Sequence, residues 1–244
     1  MQPNILIFVP AFNCERQIVR VLKALQSVPE SLASQILVVD NLSSDETVAA
    51  VNRAISERKK GPAILLKENS KNLGLGGSHK VAFRYAATHG FDFCITFHGD
   101  DQADVGDLVR VLKSGEFQKY DHFLGSRFHK ESVRERYSYM RLGGNLALNC
   151  LASLVTRFSI SDLGSGLNVR RVRAVTDPRI ERLPNDLTFD VLLLLYALRK
   201  KQSIHFFPIT WRHTDQKSNA RVFRQGVQLL VHLARYRLRP ESFA

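Results

Sequence analysis

Apolar residues in this chain come in short runs that stop abruptly at polar ones. Ile5–Val9, Ile36–Val39, Ala63–Leu66 and Phe93–Phe97 recur at about thirty-residue intervals, the period of strand, crossover helix and next parallel strand. Between the first two runs, Ile18, Val21, Leu22, Leu25 and Val28 mark one face of a helix. A second helix opens at Ser43-Ser44-Asp45-Glu46, where Ser43 and Glu46 have capping-box spacing, and continues through Val48, Val51 and Ile55. Gly90 is placed to end a third. Leu108, Val109, Val111 and Leu112 predict another helix and residues 122–126 a strand. Leu142, Leu146, Cys150 and Leu154 predict the inward face of a long helix, with Asn145 and Asn149 beside it. After Gly164-Ser165-Gly166 the pattern reads strand, helix, strand. Ile204–Ile209 is that last strand and leads to a basic, amphipathic C-terminal helix. The expected fold is α/β, a mostly parallel central sheet flanked by helices.

The polar residues that end these runs carry the candidate chemistry. Pro10 to Glu15, Asp40 and His98-Gly99-Asp100-Asp101-Gln102 each follow a predicted strand directly. In a parallel sheet the carboxyl ends of the strands meet at one crevice, so these distant segments are expected around a single ligand. Asp40 could accept hydrogen bonds from a nucleobase or ribose, or simply cap the next helix. Asp100 and Asp101 could hold Mg²⁺ or Mn²⁺ against a diphosphate, although adjacent acids in a solvated loop are common. Asn72-Leu73-Gly74-Leu75-Gly76-Gly77 precedes a helix, and its glycines would let backbone N–H groups approach an anion. It lacks the Gly-Lys-Ser/Thr ending of a phosphate-binding P-loop and stays open to reading as a plain turn.

Composition adds location and limits. With 244 residues, 44% hydrophobic and 24% charged, the chain is an ordinary globular protein able to bury a large core. The longest apolar stretch, Val191–Leu198, falls short of the roughly 18 residues of a membrane span and is bounded by Asp190 and Arg199, which predicts a buried helix. No basic leader precedes the first strand, so a cytoplasmic chain is expected. Cys14, Cys94 and Cys150 are widely spaced, which argues against a disulfide framework or zinc site and for buried, reduced thiols. The net charge of +12 is unevenly spread: residues 1–126 hold 14 basic and 14 acidic side chains, whereas Arg199–Ala244 holds ten basic ones against Asp215 and Glu241. That asymmetry suggests an acidic partner, such as anionic lipid, a phosphate-bearing acceptor or nucleic acid, or else a solvated basic face.

Seven segments in order resemble the family-2 glycosyltransferases of the GT-A fold, in particular the dolichyl-phosphate mannosyltransferase-like and bactoprenol glucosyltransferase-like branch. They are VPAFNCE at 9–15, VVDNLSSDET at 38–47, KNLGLGGSHKVAFRYA at 71–86, HGDDQAD at 98–104, GSRF at 125–128, SDLGSGLNVRR at 161–171 and FFPITWRHTDQKSNAR at 206–221. The resemblance implies a Rossmann-like nucleotide-sugar-binding half over 1–126, an acceptor half over 127–225 and a basic helix or tail over 226–244, together one glycosyltransferase domain. It assigns Pro10, Phe12, Glu15, Asp40 and Asn72 to the nucleotide of a nucleoside-diphosphate sugar. The family's Asp-x-Asp-x-Gln metal motif reads His98-x-Asp100-x-Gln102 here, with Asp101 as a replacement carboxylate. A neutral imidazole can ligate Mn²⁺ but is a poor Mg²⁺ ligand. Arg127 and Arg141 resemble the arginines that clamp an acceptor phosphate, for which a guanidinium fork is suited; surface ion pairing is their other reading. Asp162 matches the acceptor-side Asp, with helix capping as its alternative. Arg212 and Ser218 fall in what resembles a loop closing over the donor pyrophosphate, where Lys217 stands in place of the expected Gly.

The reaction so implied is inverting displacement at the anomeric carbon, with a divalent metal neutralising the departing nucleoside diphosphate. A polyprenyl phosphate acceptor would need no general base, whereas a hydroxyl of a cell-envelope glycan would need one, and Asp162 is the nominee. The chain would then work in the cytoplasm or peripherally at the inner face of a membrane, and a homo-oligomer is compatible. Two other classes stay open. One is a catalytically impaired transferase-like subunit, suggested by His98 and by Asn41 where the family often has a second Asp. The other is a basic nucleic-acid-binding module, which leaves the acidic strand ends unexplained; nucleic acid is therefore not expected as partner.

Overall fold

A computed structural model of the protein describes residues 2–135, 137–212, 215 and 222–238. The first half alternates strand and helix as the apolar pattern predicts: β1 (Ile5–Ala11), α1 (Glu15–Leu25), β2 (Gln35–Asp40), α2 (Thr47–Ser56), β3 (Ala63–Glu68), α3 (Gly74–Thr88), β4 (Phe93–Phe97) and α4 (Val105–Ser114). Then follow β5 (His122–Ser126), β6 (Val133–Glu135), α5 (Tyr139–Thr156), β7 (Leu167–Arg171), α6 (Phe189–Arg199), β8 (Ile204–Pro208), β9 (Thr210–Arg212) and α7 (Val222–Leu238). Seven strands form one sheet in the order β3-β2-β1-β4-β7-β5-β8. All are parallel except β7, which runs antiparallel to both β4 and β5. β6 and β9 make a separate parallel pair.

Alternation along β1 builds both faces of the sheet. Ile5, Ile7 and Val9 point towards Ile18, Val21 and Leu22 of α1, Val51 of α2 and Leu108 of α4. Leu6 and Phe8 point the other way, towards Val81 and Phe83 of α3 and Phe189 and Leu193 of α6. The run Val191–Leu198 is indeed a helix, buried nearly all round. Gly90, at φ +70°, follows the end of α3 in the left-handed position that glycine occupies at least cost.

Two local expectations are corrected. Ser43 and Glu46 do not form a capping box: the Ser43 hydroxyl donates to Asp40, the Asp45 carboxylate accepts from Thr47 N, and Glu46, the N-cap of α2, makes no side-chain capping bond. On α5 the predicted inward stripe faces outward. Leu146 and Leu154 are 46% and 72% exposed and Cys150 is exposed, while the buried residues are Asn149 and Ala152. Ala152 packs with Leu148 and Val155 against Leu192 and Leu195 of α6 and Leu229 and Leu233 of α7. A second apolar stripe, Leu148, Ala152 and Val155, two residues on from Leu146 and Cys150 and so on the other side of the helix, takes the place in the core. Cys14 and Cys94 are buried as expected.

Candidate active site

β2, β1 and β4 are neighbours running in the same direction, so their carboxyl ends open on one edge of the sheet. Ala11 lies opposite Asp40 in the register, and Gly99 N donates to Pro10 O at 3.2 Å. A Cβ on Gly99 would come within 2.9 Å of that oxygen, which explains the glycine between His98 and Asp100. Asp40 and Asp100 thus lie at the ends of the two strands that flank β1, on the same edge of the sheet.

The loops after β1 and β2 are laced together. Asn13 N donates to Ser43 Oγ (2.9 Å), Ser44 N to Asn13 Oδ1 (2.8 Å), Cys14 N to Thr47 Oγ1 (2.9 Å), Glu15 N to Asp45 Oδ2 (3.2 Å) and Glu46 N to Glu15 Oε2 (3.1 Å). Glu15 therefore braces the two helix starts, and Asp40 is buried and accepts from Ser43 N and Oγ. Phe12 stays 38% exposed on the lip. Burial pushes the Cys14 thiol up to about 12, so it is no nucleophile. Asn13, Leu42 and Asp101 all adopt positive φ, between 48° and 64°. Such strained non-glycine residues gather at functional loops.

Asn41 is the residue that sequence reasoning undervalued. Its Nδ2 donates to Asn72 Oδ1 (2.8 Å), and its Oδ1 accepts from Asn69 Nδ2 (3.2 Å) and Leu73 N (2.8 Å). An Asp at position 41 could not make the first bond, because an ionised carboxylate has no donor. The glycine run beyond Asn72 does not cradle an anion through Gly76, whose N–H is bonded to Asn185 O at 2.8 Å. Its glycines instead admit a neighbouring loop: a Cβ on Gly74 would meet Asn185 O at 2.3 Å, and one on Gly76 would meet Phe189 Cβ at 2.7 Å.

At the end of β4, Asp100 Oδ1 accepts from Gln102 N (3.2 Å), and its Oδ2 lies 3.9 Å from His98 Nδ1. Burial opposes a charge on His98, yet Asp100 outweighs it and holds the imidazole above its usual pKa. His98 Nε2 is buried without a hydrogen-bond partner. Asp101 does not replace the lost carboxylate: its Oδ2 is bonded to Arg20 Nε at 2.5 Å, on α1. Arg212 N donates to Gln102 O (2.9 Å), and its guanidinium sits 2.7 Å from Asp104 and 3.6 Å from Glu135, so β9 docks beside the motif. Ser218 lies outside the described residues.

Across the crevice, Asp162 does not cap a helix. Its carboxylate accepts from Arg127 N (2.9 Å), Nε (2.8 Å) and Nη2 (2.8 Å) and from Gly164 N (3.1 Å). Four donors occupy the roughly four lone-pair positions of a carboxylate, which disqualifies Asp162 as the base for a hydroxyl acceptor. Burial works against the Arg127 charge, but Asp162 more than offsets it and raises the pKa above that of ordinary arginine. Asp100 also acts on Arg127, which brings the two sides of the crevice within electrostatic reach. Burial holds the Tyr137 hydroxyl above its usual pKa against the pull of Arg127, Arg141 and Arg134, and that hydroxyl accepts from Asn145 Nδ2 at 3.0 Å. Arg141 itself is exposed on the first turn of α5. The sequence carried no signal for Tyr137 or Arg134. A cavity of about 220 Å³ lined by Lys80, Phe83, Arg84, Asp177 and Glu181 includes none of the predicted site residues.

Residues 6–175 match glycosyl transferase family 2. The chain belongs to that family. It is a glycosyltransferase of the nucleotide-sugar-using kind, with the GT-A fold. It is 28% identical to an uncharacterized protein of Methanocaldococcus jannaschii over 203 residues, which cover 82% of this chain and 79% of that protein. It is 24% identical over 172 residues, 67% of each chain, to the UDP-N-acetylglucosamine–dolichyl-phosphate N-acetylglucosaminyltransferase of Methanococcus voltae. Among solved structures, glucosyl-3-phosphoglycerate synthase of Mycobacterium tuberculosis, with Mn²⁺, UDP and glucosyl-3-phosphoglycerate bound, superposes with a TM-score of 0.66. That match spans 96% of this chain and 80% of the synthase at 16% identity, a likeness of fold.

Proposed function

We propose that this glycosyltransferase moves a sugar from a nucleoside-diphosphate sugar to a polyprenyl phosphate, with inversion, and that 1–244 acts as one domain. The observation that carries the reading is the shared sheet edge, with Asp40 and Asp100 at the ends of the two strands that flank β1 and Arg127 within electrostatic reach of Asp100. Asp40, Asn72, Phe12 and the backbone at Pro10 bind the nucleotide, while Glu15 positions that loop. Asp100 and Gln102 would hold a divalent ion, which supplies positive charge to the diphosphate; their oxygens suit Mn²⁺ or Mg²⁺. Arg212, already at the lip, turns from Asp104 towards the same diphosphate, and Ser218, outside the described residues, is assigned to that diphosphate with it.

Arg127, Arg134 and Arg141 receive the acceptor phosphate around Tyr137. Its oxygen is anionic before it attacks, so the saturated Asp162 is not asked to take a proton and instead locks the Arg127 fork. A phosphate-bearing acceptor is also what the names of the dolichyl-phosphate transferase and the phosphoglycerate synthase carry. For the lipid the support is the exposed apolar and basic residues of the α5 and α7 segments. Tyr139, Met140 and Leu154 are 90%, 85% and 72% exposed, and Arg141, Arg157, Arg235 and Arg237 are exposed too. Exposed apolar and basic side chains together suit an anionic membrane surface, and no described helix is long and apolar enough to cross one.

The test is transfer of labelled sugar from UDP- and GDP-sugars to polyprenyl phosphate in vesicles with Mn²⁺ or Mg²⁺, with the anomeric configuration read by NMR. Turnover with inversion is expected, lowered on the order of a thousandfold in Asp100→Ala, which is about 4 kcal/mol of barrier. Nucleotide binding without transfer to any phosphate acceptor would overturn the acceptor assignment.

A further inference from the structure

Behind the crevice, on the α3 and α6 side of the sheet, lies a buried cluster that the transfer chemistry does not use. His79 on α3 and Asp190 at the start of α6 are buried, and His98 closes the group from the end of β4. Each offers one ligand atom, and these atoms lie within 4.8 Å of one another. The His79 ring nitrogen Nδ1 is 3.0 Å from Leu75 O. Only an N–H can make that bond to a carbonyl, so Nε2 of the neutral ring carries a lone pair. That bare Nε2 points at Asp190 Oδ2 from 3.7 Å and has no hydrogen-bond partner, and neither does His98 Nε2. The His79 Nε2 lone pair and the Asp190 carboxylate, facing one another in a dry interior, repel unless something positive lies between them.

The surroundings are those of a metal centre. Ligating imidazoles characteristically donate their second nitrogen to a carbonyl or carboxylate, and ligating carboxylates are themselves hydrogen-bonded. His79 does so to Leu75 O, Asp190 Oδ1 accepts from Arg170 Nη2 at 2.8 Å, and His98 Nδ1 faces Asp100 at 3.9 Å. The ring of His79 is walled by Phe8, Phe83 and Phe189.

We propose that His79, His98 and Asp190 form an interior site for a Zn²⁺-class transition-metal ion, distinct from the donor ion at Asp100 and Gln102. Two imidazoles and one carboxylate select Zn²⁺ over Mg²⁺. Bonds of about 2.1 Å put tetrahedral ligands roughly 3.4 Å apart, so atoms now up to 4.8 Å apart close in by as much as about 1.4 Å on binding. The site ties β4, α3 and α6 together and commits His98 to the interior. It therefore accounts for an imidazole at the position where the family carries a carboxylate.

The experiment uses the full chain, stripped with chelator and then reloaded with zinc or cobalt alone. Expected are about one zinc per chain retained through gel filtration, a raised melting temperature with Zn²⁺ but not Mg²⁺, and visible Co²⁺ absorption bands of a nitrogen–oxygen site. X-ray absorption at the zinc edge of the wild type should show two imidazoles, a readout that needs no variant to fold. Gln102→Ala should keep that zinc, and His79→Gln should lose the cobalt bands, with circular dichroism checking its fold. Zinc below a tenth of an equivalent with no cobalt bands, leaving a proton on His98 or a bridging water to join the cluster, overturns the proposal. So does zinc that departs with Gln102→Ala.

Discussion

The donor and acceptor sides of the crevice are held by different physics. On the donor side, single hydrogen bonds between adjacent strand-end loops do the work, some between neutral groups and some to carboxylates: Asn13 N to Ser43, Ser44 N to Asn13, Asn41 to Asn72, Ser43 to Asp40. The groups come from consecutive βα units, so short local segments place them. On the acceptor side, a buried ion pair does it, Arg127 with Asp162, 35 residues apart. Loops held by single hydrogen bonds can give way around a nucleotide at small cost, whereas a desolvated charge pair holds one geometry and is costly to half-remove.

The largest expected effect tests that contrast directly. Asp162→Asn leaves the mostly buried Arg127 without its counter-ion and should cost about 3–5 kcal/mol in denaturant unfolding, with acceptor KM rising. Asp40→Asn retains an acceptor for Ser43 and should cost about 1 kcal/mol; equal losses would erase the distinction.

Next comes the seam between the two sides, where Arg170 acts on both His79 and His122. Burial first, then Arg170, lowers the His122 pKa to about 4 in the folded chain, from 6.5. The unfolded chain then binds more protons between those values, so stability is fully present above pH 6.5 and is lost as pH falls towards 4. His122 alone accounts for on the order of 3 kcal/mol. His122→Gln should flatten the acid limb of a stability-against-pH curve, and an unchanged limb would refute the assignment.

Asn41→Asp removes one donor from the Asn41–Asn72 bond and should lower stability by about 1–2 kcal/mol and weaken nucleotide binding in calorimetry. A neutral outcome would mean that the donor loops are not held by this network. Smallest is Leu154→Ser on the outward face of α5, which should change stability by less than about 0.5 kcal/mol while reducing binding to anionic vesicles. A large loss of stability there would return that stripe to the core.

Every strand of the first half was legible: β1, β2 and β4, buried on both faces, are apolar nearly throughout and end where polar residues begin, and the exposed edge strand β3 still opens on the apolar run 63–66. The shared sheet edge of Asp40 and Asp100 followed from the same pattern. The face of α5 was not legible: two apolar stripes compete on that helix, and only packing against α6 and α7 chose the one with Ala152. Nor were the partners of Asp101, Asp162 and the glycines at 74 and 76, each of which meets a residue from a distant element.

By itself, then, the sequence determined the order of elements, the family and the edge of the sheet where chemistry occurs, since these depend on periodicity and on local polar breaks. Tertiary structure alone decided which carboxylates stay available to a ligand, which helix faces meet solvent, and that His79, His98 and Asp190 converge in the interior. Those outcomes depend on distances between residues far apart in the chain, and distance in space is set by packing rather than by spacing in sequence.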